Sequence, residues 1–469
     1  MHIKKYDHDF SRRLFMEKTA KGTVGAGVLT SLWPLIGETA DITKAYPEEM
    51  LSIEGYTKGK VSTGDIVDAG NVELVKDLLD PILYAQISQM GRKIRIAPTT
   101  TDVTKLFPKD FLDASLKNAG KAGFDADGNV IVKATGERWI GGMPFPDPKS
   151  AYEGYSNLTM SWGRHDTSIF AVDSKSIDAK GDLAYEYDLL WVEQNTQGLV
   201  SDPNGLTAKP GSEHLLRNQT ALFTYPNDVK GTAFLSIWDY DQRKFPDLYG
   251  YLPAFKRVRR FPTNQRFEPL VPGMTFFLSD AWGAGDPALT WGNYKEVGRQ
   301  PMLGSQSGTW YGDQESWSKD GTLHGGPQDN SFFLMDFEFC PEVAVYEAEP
   351  TGYPRAPIGK KRAYIDVRNN VYIGYITYDR RGEMWRSFEV GFSQQKKGDL
   401  VNADNRGNPE WSWSYVHSMD IQTGFLTRFT HGEKTRSGIM AGFDTNSSES
   451  PEDVYNKYLT VQAVRRLGT

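Results

Sequence analysis

His165 beside Asp166, in Trp-Gly-Arg-His-Asp, and His417 near Asp420 are the imidazole–carboxylate arrangements worth weighing in this chain. A histidine held by a carboxylate is the usual base of a nucleophilic site, or one ligand of a metal. Neither chemistry is extended by what surrounds them. The seven histidines form no i, i+4 pair, and there is no Cys-x-x-Cys. Gly304–Gly308 carries Gln306 where a hydrolase elbow needs its serine. No glycine-rich phosphate loop follows a strand. Asp125, Asp127 and Asn129 resemble the start of a calcium loop, but Val130 stands at its sixth position and Gly136 at its twelfth, so the stretch is a turn. Cys340, the single cysteine, ends an apolar run with no base beside it and is a small hydrophobe. These residues imply no catalytic set, no metal and no cofactor.

Residues 11–18, Ser-Arg-Arg-Leu-Phe-Met-Glu-Lys, carry a different signal. Arg12 and Arg13, followed by Phe15, Lys18 and the weak apolar run 22–36, have the pattern of a bacterial twin-arginine export signal. Such a signal is an address read by a receptor, not part of the fold. Spanning a bilayer takes roughly 18 or more consecutive apolar residues, and Gly22, Gly25, Gly27 and Pro34 interrupt this run. The pattern predicts removal of residues 1–45, with small residues near Thr43–Ala45 for the peptidase. It also predicts release of an already folded chain into the periplasm.

Composition narrows the partners. Net charge is −7, and the leader holds more base than acid, so the remainder is more acidic still. Such a chain repels nucleic acid, and general adhesion to anionic membranes is disfavoured. The basic run Lys256–Arg260 is read as the solvated end of a strand, with a dock for an acidic partner as the alternative. One cysteine permits no internal disulfide. Aromatic residues make up 13% of the chain, which favours strands and large apolar surfaces.

The elements that must position these side chains follow from periodicity. Apolar residues from Val72 to Leu83 recur at helical spacing, with Pro81 marking a kink or start and Gly91 an end. Lys109–Ala119 is a second helix, Asp127-Gly128 a hairpin turn, and Ser450-Pro451 the start of a helix near 451–459. From about residue 150 the period is two. Tyr185, Tyr187, Leu189 and Trp191 share a face. So do Phe234 and Trp238, and so do Phe333, Met335, Phe337 and Phe339. Two such runs flank Asp379–Gly382. Many strands of this kind build a large antiparallel sheet with one apolar face.

Several stretches, in order, resemble the DUF1329 family of Gram-negative envelope proteins, labelled outer-membrane lipoprotein-sorting-like: GGMPFPDPKSAYEGYSNL (141–158), ALFTYP (221–226), LYGYLPAFKRVRRFP (248–262), YEAEPTGYPRAPIGKKRAYID (346–366) and YDRRGEMWRSFE (378–389). The leader and WGRHD (162–166) depart from that pattern. The resemblance implies an α+β fold, mostly antiparallel β: a large curved, half-open barrel with helices covering its concave side, similar to periplasmic lipoprotein carriers. It also implies an apolar hollow for a lipid or other hydrophobic ligand, an inner-membrane exporter and an outer-membrane protein as partners.

The chain is therefore divided into a leader (1–45), a mixed helical region packing on the sheet (46–150) and the half-barrel with a short C-terminal helix (151–469). The function expected is periplasmic carriage of hydrophobic molecules without catalysis. Tyr185, Tyr187, Trp191, Phe234, Trp238, Phe333 and Phe337 are the candidate ligand contacts, each of which ordinary core packing would also explain. An enzyme exported folded with its cofactor and a ligand-free adaptor of an export complex are the alternatives.

Overall fold

The computed structural model describes residues 32–39, 41–310, 321–444, 447 and 449–468; Arg12 and Arg13 lie outside the described residues. Among these, no helix is long and apolar enough to cross a membrane.

The N-terminal region begins with two short helices, α1 (Leu32–Thr39) and α2 (Ile53–Thr57). The apolar rhythm from Val72 to Leu83 does not make one helix. Val72–Leu74 and Lys76–Leu78 are single 3-10 turns, and α3 (Pro81–Met90) starts only at the proline. Proline cannot donate to the preceding turn, and its ring clashes there, so a helix can begin at Pro81 but not run through it. The Asp80 carboxylate caps the new helix, accepting from the Ile82 and Leu83 amides at 2.8 and 3.0 Å. Gly91, at φ +69°, closes it. α4 (Lys109–Asn118) follows. Leu32, Trp33 and Ile36 pack with Ile42, Phe107, Phe111 and Ile94 against Phe333, Met335, Phe337 and Phe339. Ile42 is fully buried, so a peptidase could cut near Thr43–Ala45 only after local opening.

α5 (Ala151–Met160) leads into the sheet. Its long strands are β1 (Thr167–Ile177), β2 (Leu183–Asn195), β3 (Leu215–Tyr225), β4 (Ala233–Asp239), β5 (Asp247–Leu252), β6 (Arg257–Phe261), β7 (Gly292–Gly304), β8 (Met335–Glu349), β9 (Ile358–Asp366), β10 (Val371–Asp379), β11 (Met384–Gln394), β12 (Trp411–Asp420) and β13 (Phe425–Gly432). Each pairs antiparallel with its sequence neighbour from β1 to β6 and again from β7 to β13. The two meanders join where β13 pairs with β1, Leu426 opposite Ile177. No pairing joins β6 to β7 among the described residues, so the sheet stays open. The N-terminal region adds Ile94–Ala97, parallel to the start of β8, and Ile66–Val67 beside it.

The chain between β6 and β7, residues 263–291, has little regular structure beyond 3-10 turns, yet it is rich in buried apolar side chains. It crosses one face of the sheet and, with α5, covers it. α3 packs on the opposite face with Ile82, and so do the C-terminal helices α6 (Pro451–Tyr458) and α7 (Val461–Gly468) through Val454, Tyr458 and Val464. The basic run is not the end of the aromatic strand. Lys256, left-handed at φ +49°, turns the chain, and Arg257–Phe261 returns as the edge strand β6 along β5.

Candidate functional site

Beneath the 263–291 cover lies an apolar cavity. Val172 of β1, Leu189 and Trp191 of β2, Tyr372 of β10, Phe388 and Val390 of β11, Trp413 and Val416 of β12, and Phe429 of β13 line it from the sheet. Leu270, Met274, Phe276, Ala281 and Trp282 close it from above. These are six adjacent strands. Laid flat, they would span about 24 Å at the usual strand spacing. A single cavity with about 80 Å³ of free space touches all six, so the strands curl round it and this face is the concave one. Trp413 and Val416 both point inward because a bulge between Tyr415 and Trp413 shifts the register of β12. Apolar side chains buried at such a face contribute about 1.5–3 kcal/mol each, and the cover's own Met274 and Phe276 supply much of that burial.

The cover is tied down by polar groups from the sheet. The Arg386 guanidinium meets both Asp280 carboxylate oxygens, at 2.6 and 3.0 Å, and donates to the Thr275 carbonyl at 2.7 Å. Lys361, buried on β9, donates to the Ser279 and Gly283 carbonyls at 2.9 and 3.1 Å. Burial pulls its ammonium down to about 8. Within the cover, Arg266 holds Asp286 at 2.6 Å.

At one end of the cavity sits Glu193, buried on β2. It accepts from the indole nitrogens of Trp191 and Trp282, the latter at 2.7 Å. Burial pushes its carboxyl up, against these indoles and Arg217, which favour the charged form. Trp282 itself is left-handed at φ +52°, an unusual conformation for a bulky side chain, so this indole tether holds a strained residue over the hollow. Glu193 has the same strand parity as Leu189 and Trp191, and that alternation was the available sign that it faces inward.

Of the residues singled out from sequence, Trp191 lines the cavity. The Tyr187 hydroxyl donates to the cover's Pro272 carbonyl at 2.8 Å. Tyr185 is 40% exposed, stacks on Tyr187 and lies flat against Gly273, where any Cβ would strike its ring. Phe234 and Trp238 share the concave face but stand outside the cavity lining. Phe234 meets Phe261, and Trp238 lies near two guanidiniums, Arg217 at 5.2 Å and Arg266 at 5.4 Å. Phe333 and Phe337 pack in the N-terminal cluster, Phe333 stacked on His417.

Neither histidine meets the carboxylate beside it in sequence. His165 lies flat on Phe443, its Nδ1 3.6 Å from Asp444. Asp166 accepts from the Val200 and Ser201 amides, and burial pushes it up to about 7. His417 faces Glu389 at 3.4 Å rather than Asp420, whose carboxylate accepts from the Trp385 indole. Burial holds His417 down at about 4. Cys340 is buried, and burial raises its thiol. No cluster of three or more His, Cys, Asp or Glu side chains fit to hold a metal occurs among the described residues.

The described residues form an open, mostly antiparallel half-barrel with a covered apolar hollow. The chain belongs to the family described as "Protein of unknown function (DUF1329)", whose profile matches residues 66–465. No curated protein matches it. It is similar to a "putative outer membrane lipoprotein-sorting protein domain" from Vibrio parahaemolyticus, at 15% identity over 67% of this chain and 98% of that one, TM-score 0.42. A DUF1329 family protein from Desulfovibrio piger shows 12% identity over 65% of this chain and 95% of that one, TM-score 0.41. A LolA superfamily protein from Nitrosomonas europaea shows 14% identity over 62% and 94%, TM-score 0.32.

Proposed function

We propose that this protein carries a long-chain hydrophobic molecule through the bacterial envelope, without chemistry of its own. The observation that carries this reading is the hollow between cover and concave sheet, whose every lining side chain is apolar or aromatic. Size sets the class of cargo. An apolar cavity of about 150 Å³ takes one benzene, so the free space here, about 80 Å³, takes less. A larger guest must displace Met274, Phe276 and Trp282 and loosen the Asp280–Arg386 tether. At about 0.8 kcal/mol per buried methylene, some ten methylenes supply roughly 8 kcal/mol, enough for micromolar binding in the absence of such costs. Short hydrophobes do not repay the displacement; long chains do.

The test is organic extraction of the purified protein followed by mass spectrometry, together with titration by a fluorescent long-chain fatty acid. One hydrophobe per chain, or saturable uptake, is expected. A lipid-free extract with no uptake sinks carriage. It would leave the ligand-free adaptor, which the small resting cavity and its many tethers favour.

The envelope compartment rests on Arg12 and Arg13. Changing both to lysine is expected to leave the precursor in the cytoplasm, as fractionation would show; undiminished export removes the compartment from this reading. An exporter and an outer-membrane acceptor are the partners a carrier of this kind needs.

A further inference from the structure

The open edge at β6 concentrates positive charge on an acidic protein. Lys256, Arg257, Arg259 and Arg260 follow one another there, all exposed, in a chain of net charge −7. Arg260 pairs with Asp247, while the other three have no ion-pair partner among the described residues. Phe255, 50% exposed, stands at the turn before them with the Arg259 guanidinium 4.2 Å from its ring centre.

We propose that this edge docks the protein on an anionic lipid surface. The proposal rests on the carrier reading and names where cargo would be exchanged. Charge on an edge strand also discourages pairing with another chain, which explains cations anywhere along it. It does not explain the exposed aromatic. Phe261 lies over Gly250 and reaches Phe234 on the concave face. Arg257 and Arg259 share its parity, so they lie on the concave side of the sheet's open edge, beyond the strands that line the cavity. A half-buried aromatic among cations is what a headgroup layer accepts: the ring enters the interface and the charges meet phosphates. An acidic peptide adding as a further strand fits less well, because Pro253 and Pro262 bracket the edge and neither has an N–H to donate.

The position also suits exchange. β6 runs directly into the cover, so docking brings Thr263 and the residues after it to the bilayer. A groove of about 580 Å³ opens there, walled by Phe267, Tyr353, Trp385 and Phe425 and edged by exposed Arg355. Met274 lines both this groove and the cavity, so its side chain is part of the wall between them. Net charge argues against general adhesion, but with a screening length near 10 Å at about 0.1 M salt a surface senses the nearest patch rather than the whole molecule.

The experiment is vesicle flotation of the full chain with phosphatidylethanolamine containing about 30% phosphatidylglycerol, or with phosphatidylcholine alone, at about 0.05 M and about 0.5 M salt. The wild type is expected to float at least tenfold better with the anionic vesicles, at low salt only. R257E/R259E changes two exposed side chains and is expected to keep its Tm and its fatty-acid uptake in solution while losing that flotation at least tenfold. Equal flotation of wild type and variant, no preference for anionic vesicles, or capture of an acidic peptide strand with no vesicle binding overturns the proposal. Flotation without any fatty-acid uptake would fell carriage and leave the docking edge standing.

Discussion

Replacing Asp280 by asparagine is expected to destabilise the protein by about 3–5 kcal/mol, the usual cost of removing one partner of a buried ion pair. Both partners are buried: Asp280 is fully enclosed and Arg386 is 3% exposed. Asparagine keeps an acceptor for the Phe277 amide, which Asp280 now satisfies at 2.8 Å. What is lost is the charge. The Arg386 guanidinium, 3.7 Å from the Phe277 ring centre, would stay buried with no anion beside it, only the amide oxygen, the ring and the Thr275 carbonyl. Urea unfolding reads the effect. D280N/R386M is expected to recover most of the loss, because replacing both charges removes the stranded one. By contrast, D241N at the exposed Arg243 pair should cost no more than about 1 kcal/mol. A loss below about 1 kcal/mol for D280N would mean that the cover is not held by this pair.

The sheet was legible in the sequence because its strands bury one face and the period of two survives composition. Tyr187, Leu189 and Trp191 do share the concave face, and Asp379–Gly382 is the turn between β10 and β11. Ser450 does cap α6, and Asp127-Gly128 does turn a small hairpin. Alternation tells which residues lie together but not which neighbour they meet. Phe333, in the short strand Phe332–Phe333 just before β8, and Phe337 on β8 alternate as cleanly as Leu189 and Trp191, yet they meet the N-terminal helices instead of the hollow. The cover was illegible for a different reason. Leu270, Met274, Phe276, Ala281 and Trp282 follow no helix or strand period, since turns and 3-10 segments point each of them inward separately. The part of the chain that closes the site thus lacks the only pattern a single sequence can display. Its tethers, Arg386 and Lys361, sit among other polar residues of their strands, Lys361 between Lys360 and Arg362, so nothing in the sequence sets them apart.

Two variants of the cover should move uptake in opposite directions, and this separates a carrier from a merely well-packed half-barrel. Trp282→Ala removes the ring over the hollow and the bond to Glu193 together, while the Cβ it keeps leaves the left-handed backbone as strained as before. Full burial of a tryptophan would make such a change cost 3–5 kcal/mol; for this half-buried one about 2 kcal/mol is expected. Part of what the ligand must displace is then already gone. Fatty-acid affinity is expected to rise about tenfold, equivalent to about 1.4 kcal/mol. Ala281→Leu does the reverse. It sends three more carbons from the cover into a space of about 80 Å³, which a ligand must then compete for. Its stability should change by no more than the 1–3 kcal/mol of a tight core insertion, while affinity falls about tenfold. A solid core with no cargo predicts a stability change in each and uptake in neither. Equal affinities in wild type and both variants would place any bound hydrophobe somewhere other than this cavity, because no ligand can occupy it without sensing both side chains.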